Sequence, residues 1–340
     1  PLYSSAASDV YKRQLQYGPV GGLLGMLLVT TIIWSILLAV TFEFSRIARA
    51  YDYRTFFIKL IGRFWFLFEI LYFVLLFIVL AVIGSAAGIL LRDNFGLPYL
   101  AGVSIMLAAI GILAFKGSRL IELFFSIWSF VLYAVYIIFL IVVLLKFGPE
   151  IQKNFREAAI LPGWTLGGFK YALYNLGIIP AILFCVRHIE KRKEAVAAGL
   201  IGGLIGILPG LFFYIAITSH YPAALPEEVP AVYLLRKVGS IPLLISFQVV
   251  LFGTLIETGT GFVHAVNERI QSALRAKGKK LPDWLRPFVA AALLGIGLGI
   301  SSFGLIDLIA KGYGNISWGF FIVYAVPLIT YGMYKIVSKR

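Results

Sequence analysis

The sequence predicts an all-α, polytopic membrane protein. Nine stretches of about 16 to 25 residues carry no charged side chain, and a helix needs ~20 residues to cross ~30 Å of hydrocarbon. The chain is 60% hydrophobic and 14% charged, which would leave a soluble protein of 340 residues without a polar surface. The nine predicted spans are residues 20–42, 70–91, 97–115, 123–145, 171–186, 195–219, 238–256, 287–306 and 312–334.

The basic residues lie mostly in alternate gaps between these spans. Because positive residues are retained in the cytoplasm, this pattern predicts a cytoplasmic C-terminus and a first visible span that begins outside. The net charge of +14 is spread over short loops instead of one face, so nucleic acid is not an expected partner. The expected partner is the lipid bilayer, in a cell membrane of prokaryotic type, and the oligomeric state stays open.

Residues 1–14, PLYSSAASDVYKRQ, differ from the rest of the chain. They contain no start Met and no apolar run, although a first span that begins outside needs a signal peptide or a preceding span. We expect a non-native leader, with an ordinary polar tail as the alternative, followed by one membrane domain over residues 15–340. One upstream span is then expected to be missing, which would make ten spans in all.

A short motif recurs in the two halves of the chain. GGLLGML at residues 21–27 returns as GGLIGIL at residues 202–208, first in a span that begins outside and then in one that begins inside. This predicts an inverted repeat, divided here into residues 15–147 and 148–340. The alternative is that small residues recur wherever membrane helices pack closely.

Two carboxylates lie at membrane depth, where an ionisable group is costly and therefore a functional candidate. Glu257 follows 19 uncharged residues and is predicted near the midplane, whereas Glu69 lies near the inner end of its span, within reach of Arg63 or water. Residues that share a helical face with Glu257 at three- and four-residue steps are Thr254, Thr258, Gly261 and His264. This face predicts either ion coordination or proton exchange, with interhelical hydrogen bonding as the structural alternative.

The fifth visible span is expected to be broken. It places Asn175, Gly177 and Pro180 in the middle of a membrane helix, and proline cannot donate the helical hydrogen bond. We expect a break over residues 174–177, whose exposed backbone groups would bind a ligand, or else a simple kink. Tyr171 and Tyr174 would add aromatic walls to such a pocket.

Other chemistry finds little support in the sequence. The single cysteine, Cys185, excludes an intrachain disulfide, and the three histidines lack the spacing of metal ligands. No nucleophile with a base at catalytic spacing is evident, so we expect neither an enzyme nor a bound cofactor or metal.

Four stretches carry a resemblance to a known family: LQYGPVGGLLG, YALYNLG, EEVPAVYLL and, most specifically, ETGTGFVHAVNERI at residues 257–270. Over residues 15–340 the chain resembles the YkvI-type membrane proteins, which are similar to transporters of the amino acid, polyamine and organocation superfamily. The resemblance implies a LeuT-like fold of two inverted five-helix repeats, with nine of ten spans visible. The family's glycine-rich first helix, which in LeuT-like proteins forms half of the substrate and sodium sites, is not found before QYG.

The resemblance also implies a function, namely secondary active transport of amino acids or small amines, coupled to Na⁺ or H⁺. By analogy, Tyr171, Tyr174, Asn175 and Gly177 would contact the substrate. The ion-binding or coupling candidates are Glu257, Thr258, Thr260, Thr254 and Glu69. The alternative function is a membrane sensor or assembly partner that keeps the transporter scaffold and transports nothing.

Overall fold

The fold is almost entirely helical. It was obtained as a computed structural model that describes residues 13–115, 118–226, 230–282, 284–302 and 316–338, and within these residues it contains no strand. The helices are α1 (Pro19–Ala48), α2 (Tyr53–Ile61), α3 (Trp65–Phe95), α4 (Tyr99–Phe115), α5 (Ser118–Glu157), α6 (Trp164–Tyr174), α7 (Arg192–Ile217), α8 (Pro230–Val238), α9 (Ile241–Arg275), α10 (Leu285–Ser302) and α11 (Ile316–Ser338), with 3-10 turns over Leu176–His188 after α6.

Each of the nine predicted spans coincides with a helical segment. Among the described residues, six helices are long and apolar enough to cross a membrane, and α6 with the 3-10 turns makes a seventh if the bent pair is one span. The shorter apolar helices α4 and α10 account for the other two. The predicted all-α, polytopic class is therefore confirmed. Residues 1–12 of the expected leader, residues 227–229 of the EEVPAVYLL motif, residues 303–306 of the eighth span and residues 312–315 of the ninth lie outside the described residues.

Large apolar side chains remain exposed along these helices. On α5, Leu145 is 82% exposed and Phe130 is 76% exposed, and on α4 Ile112 is 65% exposed. Apolar surface of this extent is unfavourable in water and matches hydrocarbon. The helices are those of a multi-pass membrane protein.

The chain divides into two compact units. The first unit comprises the described residues of Pro1–Ser35, Ser126–Ala172 and Ile201–Leu255, and the second comprises those of Ile36–Phe125, Leu173–Leu200 and Ile256–Arg340. Each unit thus gathers segments from both halves of the sequence. The expected division into repeats at residue 147 stays a prediction.

In the first unit, the start of α1 packs closely against α6. A Cβ on Gly168 would lie 2.9 Å from the Gly25 Cα and would overlap the Gly25 carbonyl oxygen. The Thr30 hydroxyl donates to the Gly168 carbonyl at 2.8 Å, and the Gln14 amide donates to the Gly167 carbonyl at 3.0 Å. Glycine therefore lets the two backbones approach closely enough for side chains to bond across the contact.

In the second unit, α3, α4 and α10 pack on one another. A Cβ on Gly102 would lie 2.9 Å from the Gly88 Cα, and one on Gly297 would lie 3.0 Å from the Leu80 Cβ. The Tyr99 hydroxyl and the Ser85 hydroxyl are 2.8 Å apart beside this contact. Small residues again set the helix spacing, as expected where helices cannot gain by hiding apolar surface from water.

Because Gly25 and Gly168 are in close contact, adding one methyl group at this point should lower the free energy of unfolding. Gly168→Ala should destabilise the protein by roughly 1–3 kcal/mol because overpacking forces the backbones apart. Gly206→Ala on α7 is the control, since a Cβ there meets nothing within 4 Å and alanine favours helix. Thermal unfolding followed by tryptophan fluorescence in detergent measures both, and a Gly168→Ala variant as stable as the control would contradict the close contact.

Candidate functional site

The predicted break in the fifth span is present in the structure. Helix α6 ends at Tyr174, Asn175 has the non-helical angles φ −105° and ψ 1°, and 3-10 turns begin at Leu176. The last carbonyls of α6 and the first N–H groups after it therefore leave the α-helical hydrogen-bond ladder at this point.

In the first unit, a side chain of α1 donates a hydrogen bond to a carbonyl in the last turn of α6. The Trp34 indole N–H donates to the Ala172 carbonyl at 3.1 Å, within the last turn before the break. The Tyr171 ring packs against the Trp34 ring with centroids 5.5 Å apart, and Tyr171 is buried. Tyr171 thus lies beside the interruption, where the sequence placed it.

In the second unit, the backbone after the break is tightly packed. A Cβ on Gly177 would lie 2.6 Å from both Leu75 Cδ2 and Phe320 Cε2, so no larger residue fits there without movement. Asn175 is half-buried, and its carbonyl accepts from the Ile178 N–H at 3.2 Å. The side chain of Tyr174 lies outside the described part of the chain.

The threonines of α9 differ in how their hydroxyls are used. In the first unit, Thr254 is fully buried and donates to the Val250 carbonyl at 2.8 Å. In the second unit, Thr260 is also fully buried, and its hydroxyl has no hydrogen-bond partner among the described residues. Thr258 is half-buried. A buried hydroxyl without a partner costs about 1–3 kcal/mol, which points to an acceptor or ligand that the described residues do not supply.

Glu257 lies near the middle of α9 and is half-buried. No cationic side chain in the described ranges lies within ion-pair distance of its carboxylate, although ion pairs were found for other carboxylates of this unit. A carboxylate without a countercharge at membrane depth is costly when ionised. Glu257 is therefore the carboxylate of the predicted face that is suited to take up a proton or a cation.

Glu69 has a partner that the sequence did not identify. The expected alternatives were Arg63 or water, but the carboxylate lies 2.6 Å from an Arg269 guanidinium nitrogen. The ion pair joins α3 to α9 within the second unit. Sequence separation hid it, because the two residues are 200 positions apart.

A cluster of ionisable residues around Glu268 was not predicted from the sequence. Glu268 is 7% exposed, and its carboxylate lies 2.8 Å from Arg187 and 3.2 Å from Arg286. His264, one turn earlier on α9, lies 3.7 Å from Glu268 and packs edge-on against the Phe184 ring. The cluster joins α9 to the end of the 3-10 segment and to the start of α10.

One signal could have revealed this cluster. Glu268 follows His264 by four residues, so it continues the same helical face by one turn beyond the predicted candidates. Its two arginines come from segments that are distant in the sequence. Among the described residues, no group of three or more His, Cys, Asp or Glu side chains could hold a metal ion.

The Glu268 cluster predicts a stability effect. Glu268→Gln should destabilise the protein by about 2 kcal/mol, because it removes the carboxylate that Arg187 and Arg286 share, while both arginines retain some access to solvent. Glu194→Gln is the control, since its pair with Lys191 is exposed and is expected to contribute about 0–1 kcal/mol. Thermal unfolding in detergent compares the two, and equal midpoints would show that the cluster contributes no net stability.

Comparisons with known proteins show the fold. No protein-family profile and no curated protein sequence matches the chain. Among solved structures, it is similar to one described as the substrate-bound outward-open state of a Na⁺-coupled sialic acid symporter with a novel Na⁺ site, with a TM-score of 0.56 and 14% sequence identity. The likeness covers 94% of this chain and 78% of that one. The expected LeuT-like transporter fold is thus confirmed at the level of architecture.

Proposed function

We propose that the protein is a cation-coupled secondary transporter that works by alternating access. The observation that carries this proposal is the interrupted span at Asn175, in a chain with the fold of a Na⁺-coupled symporter. An interruption at membrane depth is tolerated where it is buried in protein or lines a cavity. Transporters use such interruptions to bind substrates and coupling ions.

The proposed substrate is an amino acid or a related small amine. The N–H groups at the start of a half-helix favour a carboxylate, and the carbonyls at the end of one favour a cation, so an interruption suits a molecule that carries both. Tyr171, Tyr174, Asn175 and the backbone around Gly177 are the proposed contacts. The packed site at Gly177 supports a backbone role there, since a side chain would fit only if Leu75 and Phe320 moved.

The proposed coupling site lies on α9. Thr260 contributes a buried hydroxyl with no partner among the described residues, Thr258 a half-buried one, and Glu257 a carboxylate. Thr254 donates its proton to a carbonyl, and its oxygen keeps lone pairs for a cation. Glu69 is already neutralised by Arg269, so we assign coupling to Glu257 instead. The coupling ion is Na⁺ or H⁺.

The proposal extends to location and orientation. We place the protein in the cell membrane with a cytoplasmic C-terminus, because the basic residues concentrate in alternate gaps between spans. A thiol reagent that does not cross membranes tests the orientation. In a Cys185→Ser background, Ser338→Cys should react with it in permeabilised cells but not in intact cells.

Uptake into proteoliposomes tests the transport proposal. The full chain is reconstituted, and radiolabelled amino acids, small amines and sialic acid are offered under an inward Na⁺ gradient, an inward H⁺ gradient or neither. Gradient-driven accumulation of one class supports the proposal and identifies the ion. Binding without counterflow would favour the sensor or assembly partner on a transporter scaffold.

Glu257→Gln predicts a separation of binding from coupling. The variant should retain substrate binding and counterflow within about threefold while losing accumulation driven by the ion gradient, because the amide cannot carry the charge that exchanges with the ion. Glu150→Gln, at an exposed position of α5, is the control and should accumulate substrate normally. Unchanged gradient-driven uptake in Glu257→Gln would remove this residue from the coupling role.

The Thr260→Val variant should keep or gain stability in the absence of the ion but should bind Na⁺ more weakly. Removing a buried, unpartnered hydroxyl should leave the unfolding temperature of the ion-free protein unchanged or raise it. If the hydroxyl coordinates Na⁺, the Na⁺ concentration for half-maximal uptake should rise about tenfold, equivalent to about 1.4 kcal/mol. Thr260→Ser keeps the oxygen and should behave as the parent protein does. A valine variant with unaltered Na⁺ dependence would exclude Thr260 from the site.

A further inference from the structure

Two guanidinium groups of the second unit meet at one tryptophan. Arg54 on α2 lies 4.8 Å from the Trp65 ring centroid, and Arg269 on α9 lies 5.9 Å from it. Glu69 pairs with Arg269, and Asp52, two residues before Arg54, accepts from the Thr55 N–H at the start of α2. The cluster of Arg54, Trp65, Glu69 and Arg269 itself holds two cations and one carboxylate.

Both guanidinium groups have unused hydrogen-bonding capacity. The Nε atoms of Arg54 and Arg269 are buried, and neither has a hydrogen-bond partner among the described residues. A buried charged donor without an acceptor is costly, and a phosphate offers several acceptor oxygens to a pair of arginines. The cluster is therefore suited to an anionic group that is absent from the described structure.

An apolar groove of about 550 Å³ runs along α3 and α9, and of the cluster it is lined by Glu69 and Arg269. The groove is lined by two series of α3 residues, each spaced four residues apart, and by three residues of α9. The lining residues are Phe66, Glu69, Ile70, Phe73, Val74, Phe77, Val266, Arg269 and Ile270. The groove thus has a charged end at Glu69 and Arg269 and an apolar remainder.

The length of the groove corresponds to one leaflet. From Phe66 to Phe77, α3 rises about 16 Å at 1.5 Å per residue. Half of the hydrocarbon thickness of a bilayer is about 15 Å. Ile70 and Val74 are exposed along this face, so an acyl chain can enter from the side. Trp65 lies at the start of α3, in the position that tryptophan favours at a membrane interface.

We propose that this groove binds one anionic phospholipid of the cytoplasmic leaflet. Its phosphate lies at Arg54 and Arg269, and one acyl chain lies along Phe66, Ile70, Phe73, Val74 and Phe77. The leaflet follows from the charge pattern, since the gaps that hold Arg54 and Arg269 are predicted to be cytoplasmic. Basic pockets between membrane helices on that side are suited to anionic headgroups. This site is separate from the proposed transport function.

Native mass spectrometry of the purified full chain tests the site. The protein is incubated with equal amounts of dioleoyl phosphatidylglycerol and dioleoyl phosphatidylcholine, and bound lipid is counted as the collision energy rises. We expect one phosphatidylglycerol to be retained in preference to phosphatidylcholine by about fivefold or more. Equal retention of the two lipids would overturn the proposal.

Matched variants separate the headgroup and acyl contacts. Arg54→Gln should abolish the preference, whereas Arg92→Gln, at the exposed opposite end of α3, should keep it. Ile70→Trp should fill the groove and displace the lipid, whereas Ile89→Trp, exposed on the same helix outside the groove, should not. Unfolding temperatures check that each variant is folded.

Two further results would contradict the proposal. Equal losses in the Arg54→Gln and Arg92→Gln variants would show a general effect of charge. A dimer in the parent protein that Ile70→Trp dissociates, with lipid binding unchanged, would show that a second copy of the chain covers the groove.

Discussion

Backbone polar groups within hydrocarbon need partners, and this constraint governs the region around the interrupted span. Continuous helices satisfy it without further help, but α6 ends at Tyr174, and the last carbonyls of a helix have no partner within it. The Trp34 indole supplies a donor to the Ala172 carbonyl in that last turn. An interruption of this kind persists only because neighbouring side chains complete it.

The close approach of α1 and α6 makes such completion feasible. Thr30 and Trp34, one helical turn apart on α1, both donate to carbonyls of α6, at distances that need the two axes close together. Gly25 and Gly168 permit that spacing, because a methyl group on either would strike the other backbone. The two glycines therefore help to stabilise the interrupted span indirectly. They let α1 lie close enough to α6 for the Thr30 and Trp34 side chains to reach its carbonyls.

The features that depend on residues close together in the sequence were predicted correctly. The spans follow from runs of apolar residues, and the break follows from Asn175, Gly177 and Pro180 in a single helix. Contacts between distant segments escaped prediction. Arg269 as the partner of Glu69 could not be inferred, because nothing local distinguishes it from Arg63. The position of Glu268 on the predicted face could have been inferred from its four-residue step after His264, but its arginine partners could not.

Glu69, Glu257 and Glu268, three of the carboxylates of the second unit, differ in their countercharges, and the coupling proposal depends on this difference. Glu69 is paired with Arg269, and Glu268 lies within ion-pair distance of Arg187 and Arg286. Glu257 has no such cation among the described residues. An ionised carboxylate at that depth costs several kcal/mol, and either a bound proton or a bound cation removes the cost. Because each ligand stabilises the conformation that holds it, exchange at Glu257 could bias the two states of the proposed transporter, which a paired carboxylate is less suited to do.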